Sequence, residues 1–323
     1  MNQVALALAC FALSGAAMVH AAEFSVTKDS VLRLASIDEA RVALATEDDF
    51  IRALSEFDRA SRMKSAEPPS KEEFVKFIAG ESQAWTEAEQ SKMGDVAKLV
   101  QAKLDGFRVP LPARILVVKT TGREEANAAY CRGTNIIVLP RRFVNAPARA
   151  LESALIHELF HVLSRNSPRL REEIYSMIGF KPCGEIVLPE PLRPRAITNP
   201  DAPRLDFRME LQRGGRRISV VPVLFATPER WSKEKGGEFF AYFTWRLMAV
   251  ERNDGKWAPL IEAEMPVLLV EKDVEGFREQ IGEKAGDVLQ AEEIAAENFV
   301  RMIETRDGEA GRVPKAMRAL FKP

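Results

Sequence analysis

The chain has 323 residues, 46% hydrophobic and 29% charged, with 46 Lys and Arg against 47 Asp and Glu. That composition is ordinary for a globular protein, and without a basic excess to neutralise phosphates it argues against a nucleic-acid partner. The length allows a sizeable core, in one large domain or two lobes, without the staples a small scaffold needs. Residues 1–22 carry no Asp, Glu, Lys or Arg and include Val19-His20-Ala21, the small-residue pattern that a signal peptidase accepts. A signal peptide over 1–21, cleaved after Ala21, is therefore expected, and with it a periplasmic or secreted protein. Beyond position 22 no apolar run approaches the roughly 18 residues of a membrane span, so no stable span is expected after signal removal.

Removing 1–21 leaves two cysteines, Cys131 and Cys183, open to one disulfide or to two thiols. It also removes His20. The mature chain then keeps two histidines, His157 and His161, both within HELFH.

Residues 29–105 read as helices and suggest a helical lobe over 22–105. TEDDFIRALSEFDRASRM has Thr46 as N-cap, Asp49 three residues on, and Phe50, Ile51, Leu54 and Phe57 at helical spacing. TEAEQSKMGDVAKLVQAKL repeats the device with a Thr86/Glu89 capping box ahead of Val96, Leu99, Val100 and Leu104. AEPPSKEEF between them reads as loop, and Asp58 beside Arg59 as either an ion pair or an incidental neighbour. From Pro110 the period changes: RILVVKTT and NIIVLP are short β-branched runs bounded by turn residues, hence strands. NIIVLP is either the edge along which an extended peptide adds or an interior strand.

A helix follows over 145–165, with Asn145 as N-cap and Pro147 in its first turn. The Pro-rich stretch after it reads as loop with one short strand at 185–188. Residues 204–270 alternate in runs such as RRISVVPVLF, with NDGK as a hairpin turn, and read as an antiparallel sheet. Helices return over 271–323. The fold class expected is α+β, with a core over 106–203, an antiparallel block over 204–270 and C-terminal helices.

The helix ALESALIHELFHVLSR is apolar on nearly every side, so its polar groups need partners. Histidines at i and i+4 lie about 40° apart around the axis, which sets both imidazoles on one face where they can grip one cation. Glu158 flanks that face and is placed to act as general base on a water held by the metal, the mechanical sense of H-E-x-x-H. A catalytic zinc keeps three protein ligands and one open position. With no histidine left, the third must be a carboxylate or else a cysteine; the carboxylate candidates are Glu172, Glu173, Glu185, Asp201, Glu292, Glu293 and Glu297. In QAEEIAAENFVRMI, burial alone singles out Glu292, nearest the middle of the apolar arc. Spacing favours the pair Glu293 and Glu297, one for the metal and one to orient an imidazole from behind.

HELFH followed far downstream by Glu293-Ile-Ala-Ala-Glu297-Asn-Phe299 resembles the gluzincin zinc metallopeptidases, in particular their anthrax lethal factor-like branch with its E-x-x-A-E-x-F helix. The resemblance spans two helices, some thirty residues. It implies a zincin-like core, Zn(2+) on His157, His161 and Glu293, Glu158 as general base, and Glu297 supporting the ligands. The gap between the two motifs is longer here, which makes 204–270 an insertion. IGEKAGDVLQ, ahead of the glutamates, lacks the tyrosine those enzymes set on the oxyanion. That donor role then falls to Tyr175, Tyr130, Tyr242 or an arginine, with Tyr175 first. The expected function is an exported zinc endopeptidase acting on peptide or protein substrates. The alternative is a zinc-binding relative without turnover, serving as a binding or scaffolding protein.

Overall fold

The computed structural model describes residues 22–282, 290–305 and 311–322, so the expected signal peptide lies outside the described residues. The chain opens with strands β1 (Glu23–Thr27) and β2 (Ser30–Leu34), followed by helices α1 (Ile37–Ala45), α2 (Asp49–Ala53), α3 (Glu56–Met63), α4 (Lys71–Gly80) and α5 (Glu87–Leu104). Next come β3 (Arg114–Thr120), β4 (Tyr130–Arg132), β5 (Ile136–Pro140), α6 (Arg141–Asn145), α7 (Ala148–Asn166) and α8 (Pro168–Met177). The second sheet uses β6 (Phe180–Pro182), β7 (Phe207–Arg213), β8 (Arg216–Ala226), β9 (Phe243–Asn253) and β10 (Lys256–Pro259). Short strands β11 (Ile261–Glu262), β12 (Met265–Pro266) and β13 (Leu268–Leu269) precede α9 (Phe277–Ile281), α10 (Ala291–Glu304) and α11 (Arg312–Leu320). The fold is mixed α+β. No helix of the described residues is long and apolar enough to cross a membrane.

The first sheet runs β1-β2-β3-β5-β4, parallel from β2 to β5 and antiparallel at both edges. Its central strands are covered on both faces. Val117, Ile137 and Leu139 pack with α5 and α7, while Val118, Val138 and Tyr130 meet α1, α2 and α4. Two-sided cover explains why the runs ILVV and IIVLP are continuously apolar rather than alternating. NIIVLP is thus an interior strand; the edge is β4, and its Cys131 N–H is already taken by Asp201 Oδ1 at 2.8 Å.

The helical lobe expected over 22–105 is not a separate unit. β1 and β2 belong to the central sheet, and Met93, Val96, Ala97 and Val100 of α5 share one core with Leu155 and Leu159 of α7. The helix expected over 46–63 is two helices, capped by Asp48 and Ser55, and Thr46 ends α1 instead. The loop over 66–74 stops at Ser70, which forms a capping box with Glu73 and starts α4. The Thr86/Glu89 box is present as read. Asp58 pairs with Arg62 one helical turn on, not with Arg59, whose guanidinium donates to the Leu54, Ser55 and Pro69 carbonyls.

The second sheet is antiparallel in the order β10-β9-β8-β7-β6. The NDGK turn joins β9 to β10 with Asp254 and Gly255 both at positive φ, the geometry whose twist suits a two-residue hairpin. No strand forms at 185–188. Asn145 closes α6, and α7 starts after Pro147.

Glu124, in the turn between β3 and β4, is buried and accepts from the Thr120 hydroxyl, while its second oxygen has no partner among the described residues. Burial, with Glu125 and Glu81 adding to it, pushes its carboxyl from 4.5 to about 7. The unfolded chain ionises this group near the ordinary value and the folded chain does not. Stability from Glu124 is therefore complete below about pH 4.5 and falls as pH rises through 7, by on the order of 3 kcal/mol. Glu124→Gln cannot ionise, so its melting temperature relative to wild type should rise between pH 4.5 and 8. A difference constant across that range in thermal melts would remove Glu124 as its source.

Candidate metal centre

Helix α7 is held from all sides: Leu151, Leu155, Ile156, Leu159, Phe160, Val162 and Leu163 are buried. Helix α10 lies against it through the Phe160 and Phe299 rings, 5.5 Å apart between centroids. That packing lays Glu292 and Glu293 over the two imidazoles, whose own centroids are 4.7 Å apart. The His161 side chain is fully buried, whereas that of His157 is 27% exposed and opens the site to solvent.

Both Nε2 atoms face one carboxylate oxygen. Glu293 Oε2 stands 3.2 Å from His157 Nε2 and 3.9 Å from His161 Nε2. An ion held at ~2.0–2.1 Å in tetrahedral geometry sets its donors about 3.3 Å apart, so these separations suit three ligands of one small cation. The Glu293 carboxylate is steadied by the Asn199 amide, which donates to Oε1 at 2.7 Å. On the other side of His161, Nδ1 meets Glu292 Oε1 at 2.8 Å. Glu292 in turn accepts from Ser164 Oγ at 2.5 Å and from the Tyr175 hydroxyl. A carboxylate on Nδ1 fixes the tautomer that leaves Nε2 as a lone-pair donor, as metal-ligating histidines require. His161 Nε2 is buried with no hydrogen-bond partner among the described residues. An orphaned polar atom at full burial is costly. A cation between the three donors removes that cost, so these residues fit a metal ion.

The electrostatics agree. Burial works against charge on His161, yet Asp201, Glu293 and Glu292 around it hold its pKa up at about 10. Burial likewise opposes ionisation of Glu293, but the charge of His161 and the His157 hydrogen bond draw it down to about 2. The cluster therefore demands positive charge. A divalent ion would meet that demand and would displace the imidazole proton. Glu158 is buried beside the triad, and burial together with Asp201 raises its carboxyl to about 7, against the pull of His161 and His157. Its Oε2 is 3.4 Å from Cys131 Sγ. Cys131 and Cys183 are both free thiols, which settles the open disulfide.

Of the candidate third ligands, Glu293 is the one that joins the two histidines. Glu172, Glu173 and Glu185 are exposed. Among the described residues Glu297 faces Arg301 at 3.8 Å, and it is Glu292 that holds His161 from behind. Tyr175 is also misassigned as oxyanion donor. Its ring is buried edge-on to Phe207 and its hydroxyl is spent on Glu292, on the Nδ1 side of His161. Tyr242 donates to Gly236 O, whereas Tyr130 packs on Phe50 and lines the cavity that also holds His157 and Glu293. Asn199 and Ser164 had no distinguishing mark in the sequence. Compared with family models, with curated proteins and with solved structures, the chain matches none.

Proposed function

We propose that the protein is an exported, zinc-dependent metallopeptidase of the zincin type, with His157, His161 and Glu293 as ligands and Glu158 as general base. The observation that carries this reading is the convergence of three donors on one point, with an orphaned buried Nε2 among them. Two imidazoles and a carboxylate are the donor set of hydrolytic zinc sites, whereas an all-oxygen set would favour magnesium or calcium. Zinc, when bound, supplies Lewis acidity to the scissile carbonyl and to a coordinated water. Glu158 would take a proton from the attacking water and later return it to the leaving amine. Asn199 and Glu292 keep the ligands in register. A partly exposed His157 leaves the open side for substrate. The strands over 204–270, which join β6 (Phe180–Pro182) in one sheet, are on this reading an insertion between the two ligand helices.

A second reading is favoured by one observation, the engagement of the Tyr175 and Tyr242 hydroxyls elsewhere, on Glu292 and on Gly236 O. A relative that binds zinc but lacks turnover needs no oxyanion donor. Two measurements separate the readings. The mature chain, purified without chelator, is expected to carry about one zinc under the three-ligand rule. His161→Ala should lose it, and Tyr175→Phe should weaken it about 10–100-fold through the loosened Glu292. A zinc-free protein that also shows no calorimetric response to added zinc would end both readings. Given zinc, release of fragments from casein, stopped by stripping the ion and restored by returning it, supports the peptidase; intact casein supports the inert relative.

A further inference from the structure

Beside the triad lies a cavity of about 150 Å³ whose wall includes His157 and Glu293. Cavities that enclose a whole small molecule run to roughly 300–1,000 Å³, so this one suits a single side chain of a larger ligand. Its remaining lining is largely apolar: Ile197, Leu224, Phe239, Phe240 and Phe243. No Lys or Arg among the described residues lines it, which leaves nothing to pair with an acidic side chain or a chain-terminal carboxylate. Its carboxylates do not await a cationic side chain either. Glu125 is held by both arms of the Arg62 guanidinium, at 2.7 and 2.8 Å. Asp201 accepts from Cys131 N and stands 3.6 Å from Arg165.

The aromatic rim comes from the connection between β8 and β9, and its anchoring is asymmetric. Phe239 is buried over the Arg62 guanidinium at 4.3 Å, and Tyr242 packs edge-on to Phe57. Those two contacts fix the turn Phe239–Ala241. Phe240, between them, is left 45% exposed, its ring touching Phe239 and Phe243 at the mouth of the cavity. Phe240 thus presents an exposed phenyl to the cavity that His157 and Glu293 also line.

We infer that this cavity is a specificity subsite for one uncharged apolar side chain, leucine- to phenylalanine-sized, adjacent to the bond that is cut, with Phe240 as its determining residue. The inference rests on the peptidase reading. Its test is the digestion of a library of unstructured peptides by the zinc-loaded mature protein, with cleavage sites read by mass spectrometry. One position flanking the cut should be enriched in Leu, Met and Phe over Asp and Lys. Phe240→Ala should lower kcat/KM for the preferred peptide about tenfold more than for its Ala counterpart, the scale of a lost apolar contact. Phe240→Asp should turn the preference toward Lys and Arg. Phe240 is exposed, so both variants are expected to fold and to keep wild-type zinc content, which the same samples report. Cleavage with a flat or charge-selective profile, or a profile unmoved by both variants, overturns the subsite alone. No cleavage of any peptide by zinc-loaded protein overturns the subsite and the peptidase reading together.

Discussion

Glu158→Gln is expected to bind zinc as the wild type does and to cut casein about 10²–10⁴-fold more slowly, the usual worth of a positioned general base. The substitution changes one oxygen to an amide nitrogen and leaves the three ligands untouched. It keeps an acceptor for the Cys131 thiol, which lies 3.4 Å from the Glu158 carboxylate. What it removes is the capacity to take a proton. Burial and Asp201 raise the Glu158 carboxyl to about 7, against the pull of His161 and His157. Matched zinc content with lost hydrolysis ties the chemistry to that oxygen. Full activity in the variant, at equal zinc, would remove Glu158 from the mechanism and point to another base in the cavity, with Asp201 the nearest choice.

The metal helix was readable because its signal is local. Two histidines at i and i+4, in a segment apolar all round, state both the burial and the shared face. The third ligand was readable only as a short list, and the choice between its neighbours shows why. Glu293 and Glu297 lie on nearly the same side of α10, but four residues advance about 6 Å along the axis, a full turn beyond His161. Glu292 and Glu293 sit at one level about 100° apart, and so straddle the imidazole, one at Nδ1 and one at Nε2. The sequence did carry a mark for Glu292, a carboxylate in the middle of an apolar arc. Spacing rules outweighed it. Asn199 and Tyr175 had no such mark, because each meets α10 only through tertiary packing. The same cause hid β2: five residues of SVLRL gain their meaning as a strand from β3, some eighty positions later.

Arg62→Met is expected to destabilise the protein by about 3–5 kcal/mol, the cost of leaving buried charges without their partner. Arg62 is fully buried, with Nη1 2.5 Å from Asp58 and Nε and Nη2 bonded to Glu125. Nη2 also donates to Thr198 O at 3.0 Å, and Asp58 accepts from the Thr198 N–H and hydroxyl. One guanidinium thereby joins α3, the turn before β4, the loop leading to Asn199, and the Phe239 ring. Methionine fills much of the volume but neutralises neither acid. Burial already raises the Glu125 pKa, and Arg62 is what opposes it. Without Arg62 the carboxyl should hold its proton to higher pH, so the deficit should be larger at pH 8 than at pH 5. Arg62→Met/Glu125→Met should recover part of the loss, since pairs in one network are not additive. Denaturant melts at the two pH values give all four numbers. A single-variant loss below about 1 kcal/mol would mark the cluster as solvated, like a surface pair. A full loss would also carry to the metal, because the loop that Arg62 holds is the one that presents Asn199 to Glu293.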